Sequence, residues 1–465
     1  MASTSCCRCL SRPSVIPTSL GVGNVSSRLP SLAAFSTSSR FAATIPKKPK
    51  LPAAQQKKGK TLKIKKKAVV KSGRPPAPGE RKALRKRIVL SNTNALDVPN
   101  MVDMTPEAVL DSAQTGKILG LPGILVDQLR AVEAFKTTQG WGMFRRPATL
   151  VRKETVEVAK MMQAAQEGKK TAVSVIDGGR GTGKSLMLLQ AMAIAFTNRW
   201  IVLNIPEAQE LTRAATDYSL LPGTTPRSYS QSSYTANWLS QIGKANNAVL
   251  SKMEITQKHT LPIPLQSNIT LARLVELGAR DADIAWPVFQ AFWSEITSKE
   301  RPPILLTLDG LSHIMRDSAY RSPEYELIHA HDLAPVGFFV DYLSGTKQLP
   351  NGGAVLAATS KGNTPASYAL SLALKQLEER QSGKELTKPD PFQKLDVRSL
   401  ESLQAATLMN LKGLSREEAR GLMEYWAASG ILRQRVDEQT VSEKWTLAGH
   451  GVIGEIERGT LRMTL

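Results

Sequence analysis

Four short runs along the chain, residues 172–177, 200–205, 304–309 and 354–359, are apolar at nearly every position and rich in β-branched side chains. Continuous rather than alternating hydrophobicity marks strands covered on both faces, as in a parallel sheet. The stretches between them carry helical periodicity. One such helix begins at Lys184 and runs through Leu188, Met192 and Ala195. The pattern predicts an α/β domain: a parallel sheet with helices on both faces. Residues 207–300 form a long insertion between the second and third strands, loop-like over 221–233 and helical near Trp238 and over 289–296.

The flanks read as helical. Thr105, Pro106 and Glu107 combine a capping residue, a proline at the first helical position and an early acid, which predicts a helix start. Leu125, Leu129, Val132 and Phe135 recur at helical spacing and form one core-facing stripe. Toward the end, Ser415 and Glu418 make a capping box for a helix carrying Ala419, Leu422, Met423 and Trp426, closed by Gly430. Residues 431–445 then predict a hairpin, so that helix plus hairpin would form a winged-helix-like lid. The expected organisation is a leader at 1–41, a basic tail at 42–98, a helical region at 99–165, the sheet domain at 166–385 and a C-terminal lid at 386–465. Several units in 465 residues fit the usual size of domains.

Charge sharpens this picture through its position. The formal net charge is +21, yet residues 1–90 hold 21 of the 61 Lys and Arg with a single acid, Glu80, while the rest sets 40 bases against 39 acids. A basic catalytic cleft in the folded body is therefore not implied. Residues 1–41 contain Arg8, Arg12, Arg28 and Arg40, no acid and many Ser and Thr, the composition of a mitochondrial transit peptide, with Arg40 before Phe41 and Ala42 as a processing site. Between Lys47 and Arg87 come basic clusters such as Lys63, Lys65, Lys66, Lys67 and Arg81, Lys82, Arg85, Lys86, Arg87. With little apolar surface to bury, this segment is expected to order only on a polyanion, where its cations would displace counterions from phosphates. Ribosomal RNA suits it; a solvated linker is the alternative. The cysteines, Cys6, Cys7 and Cys9, all lie in the leader, so no disulfide, thiol or cysteine-metal chemistry is expected of the body. No run of about 20 apolar residues is present to span a membrane.

The candidate chemistry lies after the first strand. Gly178, Gly179, Arg180, Gly181, Thr182, Gly183, Lys184 and Ser185 match G-x-x-x-x-G-K-[ST], and a strand before and a helix after supply the context the motif requires. Glycines let consecutive amide hydrogens converge on phosphates at a helix N-terminus. Lys184 would neutralise the outer phosphates, and Ser185 would offer its hydroxyl to Mg²⁺. The third strand ends in Asp309, an acid placed to assist the same metal. Gly310 follows, where many fast ATPases carry a water-activating Glu, so no catalytic residue is assigned. Ser312 breaks the D-x-x-G pattern of translation GTPases. Ser360, Lys361, Gly362 and Asn363 stand where a base-reading loop would be but lack the guanine-holding Asp. Thr359 or Ser360 would sense the terminal phosphate, unless these residues cap the next helix. His313, Arg316 and Arg321 are candidates for a base or a cis arginine, against the simpler reading of surface residues.

Together with Leu121-Pro122 and the helix to Gln139, WGMFRRPATL at 141–150, the loop at 178–185, LDGLSHIMRDSAYRSPEY at 308–325 and LSREEARGLMEYWAASGIL at 414–432, the chain resembles the death-associated protein three family over roughly residues 95–450. The resemblance implies a fold like the AAA-type and related signalling P-loop NTPases. It also implies a place in the small mitoribosomal subunit in the matrix, beside its rRNA and proteins, with no homo-oligomer expected. It further implies GTP or GDP as ligand, ATP being the alternative, with Mg²⁺. At most slow hydrolysis is expected. A mitochondrial AAA-type ATPase and a regulatory GTPase remain open at this point.

Overall fold

The computed structural model describes residues 88–461, except 225, 267, 363 and 364. The expected leader, its three cysteines and nearly all of the basic tail lie outside the described residues, as does Asn363. Strands β1 (Thr171–Gly178), β2 (Ile201–Ile205), β3 (Ile304–Asp309), β4 (Gly353–Ala358) and β5 (Thr407–Leu411) form one sheet in the spatial order β5-β1-β4-β3-β2. Every pairing in it is parallel. The first four strands fall on the four apolar runs. The fifth was not anticipated, because Thr407 and Asn410 interrupt its apolar character at this exposed sheet edge.

Successive side chains of a strand point to opposite faces, and here both faces are dry. Ile176, Val202, Leu305 and Leu356 pack against helices α1 (Gly123–Ala131), α2 (Lys153–Glu167) and α3 (Lys184–Thr197). Val175, Leu203, Leu306 and Val355 meet α4 (Ser232–Ala245), α6 (Ala285–Ile296), α7 (Ala334–Leu343) and α8 (Tyr368–Gln381). Burying one such aliphatic side chain contributes about 1.5–3 kcal/mol, so the layers on both faces fix the strand register. The outer edge of β2 is closed by a side chain: the Val202 amide donates to Asn246 Oδ1 at 2.8 Å, and Asn246 Nδ2 donates to the Val202 carbonyl at 2.9 Å. An amide group thus supplies the pairing that a further strand would have given.

The insertion is more helical than expected, since α5 (Leu271–Arg280) joins α4 and α6 within it. Thr105 caps a short helix, Pro106–Leu110, as its sequence predicts. Helix α1 stops at Ala131, four residues short of Phe135, but Leu125, Leu129, Val132 and Phe135 are all buried as a core stripe.

At the C-terminal end, α9 (Arg416–Ala428) has both arms of its capping box formed between Ser415 and Glu418. The expected hairpin over 431–445 is absent; α10 (Glu438–Leu447) occupies its second half, followed by α11 (Ile453–Thr460). The Asp437 carboxylate accepts from the Thr440 amide at 2.8 Å and starts α10, a helix signal that outweighs the β-branched residues around it. Between Arg416 and Thr460 the described chain is therefore helical, without a wing. No helix among the described residues is long and apolar enough to cross a membrane.

Candidate nucleotide-binding site

Strand β1 ends at Gly178 and α3 starts at Lys184, so the glycine-rich loop hangs at the carboxyl end of the sheet. Gly183 caps α3 at φ +96°, and a β-carbon there would stand 3.2 Å from Ile453 Cδ1. That left-handed geometry favours glycine, and it sets the N-terminus of α3 directly after the loop, the arrangement that attracts anions. The Lys184 ammonium donates to the carbonyls of Gly178 at 2.8 Å and Gly179 at 2.7 Å. Burial pulls its pKa below the usual lysine value, with the carboxylates of Asp177 and Asp309 working the other way. Arg180 and Gly181 are exposed at the crest, and the Thr182 hydroxyl closes the turn onto the Gly179 carbonyl at 3.0 Å.

Parallel pairing brings the end of β3 beside the loop. The Ser185 hydroxyl donates to Asp309 Oδ2 at 2.7 Å. Hydroxyl and carboxylate are hard oxygen donors, so this pair fits Mg²⁺ as two of its ligands, with water and phosphate oxygens for the rest. No group of three or more His, Cys, Asp or Glu able to hold a metal exists among the described residues; a metal here would depend on the phosphates. Gly310 sits at φ +91°, a conformation that side-chain-bearing residues rarely adopt.

The end of β4 supplies another wall. The Thr359 hydroxyl donates to Asp177 Oδ1 at 2.5 Å, and Lys361 Nζ lies 3.5 Å from the same oxygen. Thr359 is thereby committed to β1, while Ser360 lines the cleft. These residues do not cap the following helix; Ser367 does, accepting from the Leu370 amide. The cleft measures about 850 Å³ and its walls include Ser185, Asp309, Ser360, Lys136, Glu207 and Glu210. His313, Arg316 and Arg321 do not line it. Arg316 is exposed, and the Arg321 guanidinium lies 4.5 Å above the Tyr325 ring in a separate hairpin.

Three participants escaped the sequence reading. Arg152, 3% exposed, donates to the Thr182 carbonyl and to the Lys412 carbonyl, both at 2.9 Å, and pairs with Glu154 at 3.2 Å. Gly454, at the start of α11, donates its amide to the Gly181 carbonyl at 3.0 Å. Lys136 Nζ lies 3.4 Å from Asp309 Oδ2 and also donates to the Pro206 carbonyl. Each is remote in sequence from the motif, and only the fold brings them to it. The loop is thus held by the start of α2, the residue after β5 and the C-terminal helices together.

Residues 149–459 match the family model described as mitochondrial ribosomal death-associated protein 3. The chain is 48% identical to the small ribosomal subunit protein mS29 of Neurospora crassa, with 99% of each chain covered. It is 23% identical to the protein of the same name from Schizosaccharomyces pombe, over 74% of this chain and 71% of that one. Among solved structures, Aeropyrum pernix ORC1 in complex with DNA is matched over 76% of this chain and 62% of that one, at 12% identity and a TM-score of 0.30. That likeness is too distant to add to the fold described above.

Proposed function

The chain belongs to the mitochondrial ribosomal death-associated protein 3 family, and from that premise we propose that it carries a purine nucleotide with Mg²⁺ as a built-in structural ligand. It is a structural constituent of the small subunit of the mitochondrial ribosome and resides there in the matrix, with rRNA and ribosomal proteins as its partners. The nucleotide is GTP or GDP by family resemblance, and ATP is the alternative. A transit peptide at 1–41 and an RNA-binding basic tail belong to the same proposal.

The observation that carries the nucleotide reading is the junction of loop, helix and acid: Gly183 turns into α3, Lys184 follows, and Ser185 meets Asp309 at 2.7 Å. Residues 178–185 would seat the phosphates, Lys184 exchanging its two carbonyl acceptors for phosphate oxygens, and Ser185 with Asp309 would hold Mg²⁺. The same loop is fastened by Arg152 and Gly454. A ligand seated there would add its contacts to this fastened loop, and a ligand bound only by the native state adds to its stability. Rapid turnover is not supported, since the position after Asp309 is a left-handed glycine and, among the described residues, no arginine beyond it lines the cleft.

Calorimetric titration of GTP, GDP and ATP into the purified chain and its Lys184→Ala variant tests this. Saturable binding to the parent and loss in the variant are expected; no binding of any purine nucleotide to the parent would overturn the proposal.

A further inference from the structure

Lys136 lines the same cleft as Ser185, the last residue of the glycine-rich motif. Its ammonium lies 3.4 Å from Asp309 Oδ2, the same oxygen that accepts the Ser185 hydroxyl at 2.7 Å. Both side chains are largely withdrawn from solvent, at 19% for Lys136 and 17% for Asp309. We infer that Lys136 is a second phosphate-binding cation of this site and that it recognises the terminal phosphate of a nucleoside triphosphate. This rests on the nucleotide reading above and deepens it.

Three observations support the assignment. The first is direction. The loop amides would seat the inner phosphates and Lys184 would reach toward the outer ones, with Ser185 on the side of Asp309. The terminal phosphate would then lie past Ser185, in the cleft whose lining contains Asp309, Ser360, Lys136, Thr137 and Thr138.

The second is charge. The same wall carries Glu133, Glu207 and Glu210, which would repel a phosphate. Arg130 is engaged with Asp127, and Arg213 with Glu210. Lys136 instead pairs with Asp309, and a compact ammonium with three donors suits a phosphate oxygen.

The third is rigidity. The Lys136 amide donates to Gln139 Oε1 at 2.9 Å, the Trp141 indole donates to the same oxygen at 2.5 Å, and the Trp141 ring meets Phe135 edge-on at 5.0 Å. The ammonium is further anchored on the Pro206 carbonyl. A turn fixed this way holds the charge in place before any ligand arrives, which reduces the entropy lost on binding.

The test is titration of the full chain with the β,γ-imido analogue of GTP and with GDP, repeated with the adenine pair, in parent and Lys136→Met proteins. Losing one charge-assisted hydrogen bond should weaken the triphosphate analogue about tenfold, while the diphosphate changes less than about twofold. Equal weakening of both, or no change in either, overturns the inference. Absence of binding to the parent would instead overturn the nucleotide reading on which it rests. Lys136→Gln repeats the comparison if the methionine variant does not fold, and melting of each variant without nucleotide separates lost binding from lost stability.

Discussion

The Ser185 hydroxyl donates to Asp309 Oδ2 at 2.7 Å across 124 positions of sequence, joining the last residue of the glycine-rich motif to the last residue of β3. That contact turns two separate motifs into one oxygen-lined corner. Asp309→Asn keeps an acceptor for Ser185 but removes the charge that would hold Mg²⁺. Nucleotide affinity in millimolar Mg²⁺ should fall about tenfold or more, with little change in EDTA, since a charged ligand oxygen is worth more than a neutral one. Calorimetry in the two buffers measures this, and an equal loss in both would argue against a metal role for Asp309.

Arg152 fastens the loop from behind through the Thr182 and Lys412 carbonyls while pairing with Glu154. Arg152→Met removes the cation and leaves a nearly buried carboxylate and two carbonyls without it. The expected loss is about 3–5 kcal/mol of folding stability, read by urea denaturation. A loss below about 1 kcal/mol, the size of an exposed pair, would show that the guanidinium is not structural.

Gly310 at φ +91° occupies the position where fast ATPases carry a Glu. Hydrolysis by the parent chain should stay below about 1 per second, the low end of ordinary enzyme rates. Gly310→Glu should not raise it, because the side chain enters in a strained backbone that costs on the order of 1–3 kcal/mol. Phosphate release under single-turnover conditions checks both statements.

His331 lies just before α7, with Nε2 shut off from solvent and without a hydrogen-bond partner among the described residues. Burial pushes its pKa down to about 3, helped by the charges of His329 and Arg398. Between the unfolded value of 6.5 and about 3, the unfolded chain binds a proton that the folded chain refuses, so stability is intact above 6.5 and declines as pH falls. One such group gives a slope of at most about 1.4 kcal/mol per pH unit. His331→Gln should flatten the stability profile between pH 6 and 4 by up to one proton; an unchanged profile would contradict the assignment. The carboxylate of Asp396, held low by Ser399 and His329 against the effect of its burial, loses its contribution only in more acid solution.

The central sheet was legible because a strand buried on both faces must be apolar at every position, as 304–309 is. The turn from β1 into α3 was legible because closely spaced glycines stand between an apolar strand run and an apolar helix. Strand β5 was not, since an edge strand tolerates Thr407 and Asn410. The hairpin expected over 431–445 failed for a local reason, the Asp437 cap of α10. Lys136 and Arg152 left no local signal. A lysine after a buried Phe135 reads as a solvated turn, and nothing in sequence says that Pro206, Asp309 or Thr182 will lie against these side chains.

Whether the nucleotide is a built-in ligand is read from the nucleotide content of the protein in its own particle. Small subunits isolated from mitochondrial lysate on a high-salt sucrose gradient should contain this chain and, after denaturation, release about one purine nucleotide per chain, the ratio expected of a built-in ligand. Subunits carrying Lys184→Ala should release far less. A chain that co-sediments with the subunit yet yields no nucleotide would contradict the account.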